Sequence, residues 1–199
     1  MNAVRARRLA QQGEYTRAIQ ALTSAGLAEQ SPATTRAMKK KHPAANLPTF
    51  QPSSVSPQLT FSSEEVLKAA KSFRKGSAPG PDGLRGEHLK VALNRTTPNR
   101  QDNMLAALTR LVNVMAAGSV PDMVAPFLSG AKLHAGNKKD GGIRPIAVGN
   151  IMRRLTAKCF SYALANKAAG FLQPVQMGVA VRGGVEAIIH SVRQVVEEA

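Results

Sequence analysis

The sequence predicts an α+β fold that is mostly helical: four or five helices around one β-hairpin, with a loosely attached amino-terminal helical extension. Three observations carry this. Apolar residues recur at three- and four-residue spacing in several separate stretches, as in amphipathic helices. One Asp-Gly pair, Asp140-Gly141, stands between two apolar runs, a strong short-range signal for a tight turn. Hydrophobic residues make up 43% of the 199-residue chain, enough for one good core and too many for wholesale disorder.

In chain order, residues 2–25 read as a helical pair interrupted at Gly13-Glu14, with Tyr15, Ala18, Ile19 and Leu22 at helical spacing. Gly-Glu-Tyr-x-x-Ala-Ile is similar to the middle of a tetratricopeptide repeat, but no second copy follows at an offset of ~34 residues. Residues 31–59 are rich in Pro and Ser and read as a linker, with room for a short helix from Thr34 to Lys41. Ser62-Ser63-Glu64-Glu65 is a capping box. It opens a helix that buries Val66, Leu67, Ala69, Ala70 and Phe73, presents Lys68, Lys71, Arg74 and Lys75 outward, and ends at Gly76.

Pro79-Gly80-Pro81-Asp82-Gly83 is a double turn that sets the angle between helices. A helix from Asp102 to Ala117 follows, with Leu105, Leu108, Leu111, Val112 and Met115 as its core stripe and Gly118 at its end. The hairpin comes next. Its first arm, Phe127 to Ala135, places Ala131, Leu133 and Ala135 on one face and Lys132 and His134 on the other. Its second arm, Ile143 to Val148, contains Pro145, which restricts it to an edge or an irregular strand.

Asn150 is the predicted N-cap of a helix reaching about Lys167, with Ile151, Leu155, Cys159 and Tyr162 on one face. Arg154 and Lys158 lie one turn apart there and repel unless solvated or shared with an anion. A glycine-punctuated loop over 171–184 precedes a last helix, Val185 to Glu198. Its stripe of Val185, Ile188, Ile189, Val192, Val195 and Val196 is expected to lack a partner and to favour self-association.

Lys and Arg number 27 against 12 Asp and Glu, a formal net charge of +15. The excess is spread along the chain, +6 over residues 1–60, +4 over 61–137 and +5 over 138–199, so the folded body is itself basic. That points to a polyanionic partner, with nucleic acid ahead of an acidic membrane surface. Only 4% of residues are aromatic, so base stacking and sequence preference should be slight. The single cysteine, Cys159, excludes an internal disulfide and a thiolate zinc cluster. With no signal-peptide core and no long apolar run, an intracellular protein, nuclear or cytoplasmic and neither secreted nor membrane-bound, is expected.

The hairpin tip reads Lys138-Lys139-Asp140-Gly141-Gly142-Ile143-Arg144-Pro145-Ile146. Glycines let a backbone approach a ligand closely, and Arg can hold phosphate oxygens bidentately. The tip therefore suits an anion.

Taken in order, the Pro-Gly-Pro-Asp-Gly turn, Gly118-Ser119-Val120-Pro121, the Lys-Lys-Asp-Gly-Gly-Ile-Arg-Pro-Ile-Ala hairpin, Arg153-Arg154-Leu155-x-Ala157-Lys158-Cys159 and Gln176-x-Gly178 ahead of Gly183-Gly184-Val185-Glu186-Ala187 resemble a known family. They are similar to the amino-terminal half of a non-LTR retrotransposon reverse transcriptase. The resemblance covers roughly residues 60–199 and implies a partial polymerase domain, the fingers without the palm sheet, behind an extension (1–30) and a linker (31–59). It implies that Arg144, with Lys138 or Lys139, holds the phosphates of an incoming dNTP. It also implies that Arg153, Arg154, Lys158, Gln176, Gly178 and Arg182 lie along an RNA or DNA template-primer.

Family members hold two Mg²⁺ ions on aspartates at strand ends. The four aspartates here, Asp82, Asp102, Asp122 and Asp140, do not follow apolar strands, and no Tyr-x-Asp-Asp element is present. No cofactor and no catalytic or metal-binding residue is therefore assigned, and the chain is expected to be inactive as a polymerase alone. The alternative is a stand-alone basic RNA- or DNA-binding module without catalysis.

Overall fold

The computed structural model of the chain describes residues 2–42, 59–94 and 98–198. Two compact units form, each with its own packing.

The first unit holds α1 (Asn2–Gln11), α2 (Tyr15–Thr23), α3 (Pro32–Lys41) and the hairpin β1 (Ala131–Asn137) and β2 (Ile143–Gly149). Gly13 ends α1 in the left-handed conformation, φ +75°; its amide donates to the Ala10 carbonyl at 3.0 Å and that of Glu14 to Leu9 at 2.9 Å. This double bond pattern satisfies the orphan carbonyls of the last turn. Ala6 and Leu9 of α1 pack on Ala18 and Ala21 of α2. The predicted face is thus corrected. Tyr15, Ile19 and Leu22 are exposed, and only Ala18 of that stripe is buried, because the two helices approach through alanines and leave the bulky side chains outside.

The described part of the expected linker carries α3, two residues longer at its start than predicted; residues 43–58 lie outside the described residues. Ser31 accepts from the Thr34 amide, and Pro32 sits in the first turn, where a missing N–H costs nothing.

β1 and β2 pair antiparallel, Ala131 with Gly149 through Asn137 with Ile143. The first arm starts four residues later than predicted, because α7 (Ala125–Ser129) takes up Phe127. The free edge of β1 is covered by residues 26–28. Ala28 donates to the Ala135 carbonyl at 2.8 Å and Asn137 to the Gly26 carbonyl at 2.9 Å. β2 is left as the outer strand, consistent with Pro145. The hairpin makes contacts with α3 and residues 25–28.

The second unit contains α4 (Ser63–Lys71), α5 (Gly86–Asn94), α6 (Pro98–Ala116), α7, α8 (Ile151–Leu172) and α9 (Gly184–Glu197). The capping box forms as predicted: the Ser62 hydroxyl accepts from the Glu65 amide and the Glu65 carboxylate from the Ser62 amide. Val66, Ala69, Ala70 and Phe73 pack with Leu89, Leu93, Leu108, Val112, Ile151, Leu155 and Cys159 in one core. Each fully buried Val or Leu there contributes about 1.5–3 kcal/mol. A Cβ on Gly86 would overlap that of Phe73, so α5 can begin against this core only with glycine. Asn113 grips Phe61 by both backbone groups, at 2.7 and 3.0 Å. Gly118 ends α6 at φ +68° with the bonding seen at Gly13.

Asn150 caps α8 as predicted, accepting from the Met152 amide at 2.8 Å. The helix runs five residues beyond Lys167, to Leu172. The Nδ2 of Asn150 donates to Asp82 at 2.8 Å, and Arg154 donates to the Ala78 carbonyl at 2.9 Å. The Pro-Gly-Pro-Asp-Gly turn is thereby fastened to the start of α8. Of the predicted α8 face, Ile151, Leu155 and Cys159 are buried and Tyr162 is half in solvent. Gly184 starts α9 where a Cβ would overlap the Met177 carbonyl oxygen. The apolar stripe of α9 is exposed throughout, from 40% at Ile188 to 70% at Val196, as the sequence leads one to expect.

Asn150→Ala removes the cap and leaves the Oδ2 of Asp82 without its donor, while its Oδ1 keeps the Leu84 amide. Urea unfolding followed by circular dichroism should show a loss of about 1–2 kcal/mol. Combining it with Asp82→Ala should fall short of additivity by about 0.5 kcal/mol or more. Strict additivity would mean that the turn and α8 are not coupled.

Candidate anion-binding cleft

The hairpin turn is built from Lys138 to Gly142. The Gly141 amide donates to the Lys138 carbonyl at 3.3 Å and the Lys138 amide to the Gly142 carbonyl at 2.8 Å. Gly141 takes φ +78°, so a three-residue loop ends in a left-handed glycine, a common hairpin connection. Asp140 folds back to accept from the Gly142 amide at 2.9 Å. That bond, then the charges of Lys138 and Lys41, hold its carboxyl below the usual range.

Arg144 stands directly opposite Gly136, which offers no side chain to crowd it, and shares a face with Lys132 and His134. Lys138, Lys139 and Arg144 converge on one cleft of about 530 Å³, completed by Asp140, Asn137 and residues 23–25 at the end of α2. Asn137 fixes the wall, its side chain donating to the Ala25 carbonyl at 3.1 Å while its backbone holds Gly26. Lys41, at the end of α3, donates to the Ile143 carbonyl beside the turn. Lys138 and Lys41 are the cations whose charges act on the Asp140 carboxylate, and Lys139 and Arg144 line the cleft with Lys138.

Sequence reasoning found the three cations of the turn. It missed Lys41, Asn137 and the Thr23-Ser24-Ala25 wall. Lys41 was masked by its place in a lysine run; Asn137 and the wall become neighbours only when residues 26–28 pair with β1.

The expected template-side residues do not form one group. In the second unit, Arg154 and Lys158 share a ring: their charged ends lie 5.5 and 5.3 Å from the centre of Phe73. This is how the structure accommodates the like-charged pair. Arg153 instead donates to the Ser129 carbonyl at 2.6 Å and borders an apolar hollow of about 220 Å³ with Met115, Val120 and Leu128. Gln176 turns back to accept from the Gly178 amide at 2.8 Å, so both serve their own loop. Arg182 is exposed ahead of α9. Cys159 is buried, and burial together with the charge of Glu65 pushes its thiol up, so it is not poised as a nucleophile.

No family model, no curated protein and no solved structure matches the chain. What the structure defines is a mostly helical α+β protein with one antiparallel hairpin. Among the described residues no helix is long and apolar enough to cross a membrane.

The lowered Asp140 carboxyl gives a pH signature. A depressed acid stabilises the folded turn above its ordinary value of 3.8, and that contribution disappears as pH falls through the lowered value. In an NMR titration the Gly142 amide should move with a midpoint below 3.8. A midpoint at or above that value would contradict the Asp140–Gly142 bond.

Proposed function

We propose that the chain supplies the fingers of an RNA-directed DNA polymerase of the non-LTR retrotransposon type, with the hairpin tip holding the phosphates of an incoming dNTP. The observation that carries this reading is the convergence of Lys138, Lys139 and Arg144 on one cleft, with Lys41 beside it. The order of motifs along residues 60–199 supports it. Phosphoryl transfer is largely positioning and neutralisation of phosphate oxygens, and a rigid turn with a bidentate guanidinium and flexible ammonium groups suits the first half of that task.

The residues named here bind and orient; none carries out the chemistry. Asp82 and Asp140 lie in turns, Asp102 lies within α6, and Asp122 precedes α7, so none is assigned to a metal ion. In a complete family member Mg²⁺ would neutralise the phosphates and activate the primer hydroxyl. A stand-alone RNA- or DNA-binding module is the second reading, favoured by the Arg154–Phe73–Lys158 cluster. It requires no nucleoside triphosphate.

Binding of a fluorescent deoxynucleoside triphosphate separates the two. The intact chain should bind it, and Arg144→Gln should weaken binding about tenfold or more, the usual loss for a charged hydrogen bond. A triphosphate affinity unchanged in Arg144→Gln, or no binding by the intact chain, would sink the fingers reading.

A further inference from the structure

We infer that α9 is the docking face for a second copy of this chain, and that the two helices pair antiparallel about a two-fold axis. A helix of 14 residues is marginal in water by itself, and packing of an apolar face is what ordinarily holds one. In α9 only Gly184 is buried, and every residue from Val185 to Glu198 is exposed. Its apolar residues nonetheless repeat as a seam. Val185, Ile188, Val192 and Val195 stand at the alternating three- and four-residue spacing of a coiled-coil pair, and Ile189 and Val196 widen it on one side.

Charge selects both the occupant and the direction. In an antiparallel pair centred near residue 190, Val185 of one copy meets Val195 of the other, and Ile188 meets Val192. Glu186 then comes level with Arg193 of the second copy on the same flank of the seam, and the two-fold axis makes this contact twice. Glu198 comes level with Arg182 of the second copy, which is exposed ahead of its helix. Glu198 also accepts from the Gln194 side chain at 2.9 Å, a neutral donor that leaves its charge in place. Among the described residues the one ion pair is Arg17–Glu14, so these charges find no opposite partner within their own unit. A parallel pair would set Glu186 beside Glu186 and Glu198 beside Glu198, like charge against like.

The helix ends agree. Gly183 starts α9 without a side-chain cap, and the other end carries Glu197 and Glu198 and no basic residue, acids at the negative end of their own helix dipole. Antiparallel docking moves each acidic end beside the positive, uncapped start of the other helix. With their charged flanks the two stripes cover on the order of 1,000 Å² in total, the lower limit for a specific interface, so the pair should be a reversible dimer. This inference goes beyond the fingers reading and does not rest on it.

The test is sedimentation equilibrium of the full chain over a concentration series. The weight-average mass should rise from 21.1 kDa toward twice that value and level off. Val192→Asp should hold the chain at the monomer mass over the same range; that side chain is exposed, so the thermal melt of the core should stay as it is. Arg193→Glu should weaken the dimer about fivefold, and Glu186→Arg/Arg193→Glu, which exchanges the two charges, should restore it. Direction is read by mixing Val185→Cys chains with Val195→Cys chains under air oxidation. The disulfide should join unlike chains, with the buried Cys159 taking no part. Disulfides between like chains, the product of a parallel pair, would overturn the inference. So would a monomer at every concentration, which would leave the face to a different protein, a mass that climbs past the dimer without levelling off, or a dimer indifferent to Val192→Asp. None of these results bears on triphosphate binding at the hairpin.

Discussion

The structure of the second unit turns on the side chain of Asn150. It is only 6% exposed, and a buried amide without partners is costly, yet both ends are used. Its oxygen accepts from Met152 in the first turn of α8, and its nitrogen donates to Asp82. Its backbone amide reaches the Gly130 carbonyl at 3.4 Å. One residue therefore starts the longest helix, fastens the proline-rich turn and closes the neck through which the chain leaves for the hairpin and returns. With α8 placed, Ile151, Leu155 and Cys159 complete the core of α4, α5 and α6.

The way the protein treats its cations is the clearest bridge from structure to function. Lys41, Lys90, Arg153 and Arg154 donate to the carbonyls of Ile143, Phe73, Ser129 and Ala78. Arg154, Lys158 and Lys68 also lie over aromatic rings. Carbonyl dipoles and ring faces orient a charge while leaving it uncancelled, whereas a carboxylate would cancel it. A chain of net charge +15 held together this way keeps its positive field.

Much of this was legible in the sequence, where local chemistry decided the outcome. The Ser62 capping box, the Asn150 cap, the glycine stops at 13 and 118 and the turn at Asp140-Gly141 each follow from one residue type at one backbone conformation. The misses share another cause. Tyr15, Ile19 and Leu22 have helical periodicity, but only the partner helix decides which face is buried, and α1 offers mainly small side chains. Asn137 meets the wall through pairing of residues 26–28 with β1, a contact between segments about 110 positions apart, and Lys41 reaches the Ile143 carbonyl from α3. Arg153 and Arg154 look equivalent as neighbours, yet they point to different carbonyls because successive helical positions diverge by about 100°.

The central proposal is that a triphosphate docks at the hairpin turn. Titrating the ¹⁵N-labelled protein with sodium tripolyphosphate and following amide shifts tests it most directly. The account predicts saturable changes centred on Asn137 to Arg144, with Ser24 and Ala25 following. Shifts scattered over every basic helix, or none at the turn, would contradict it.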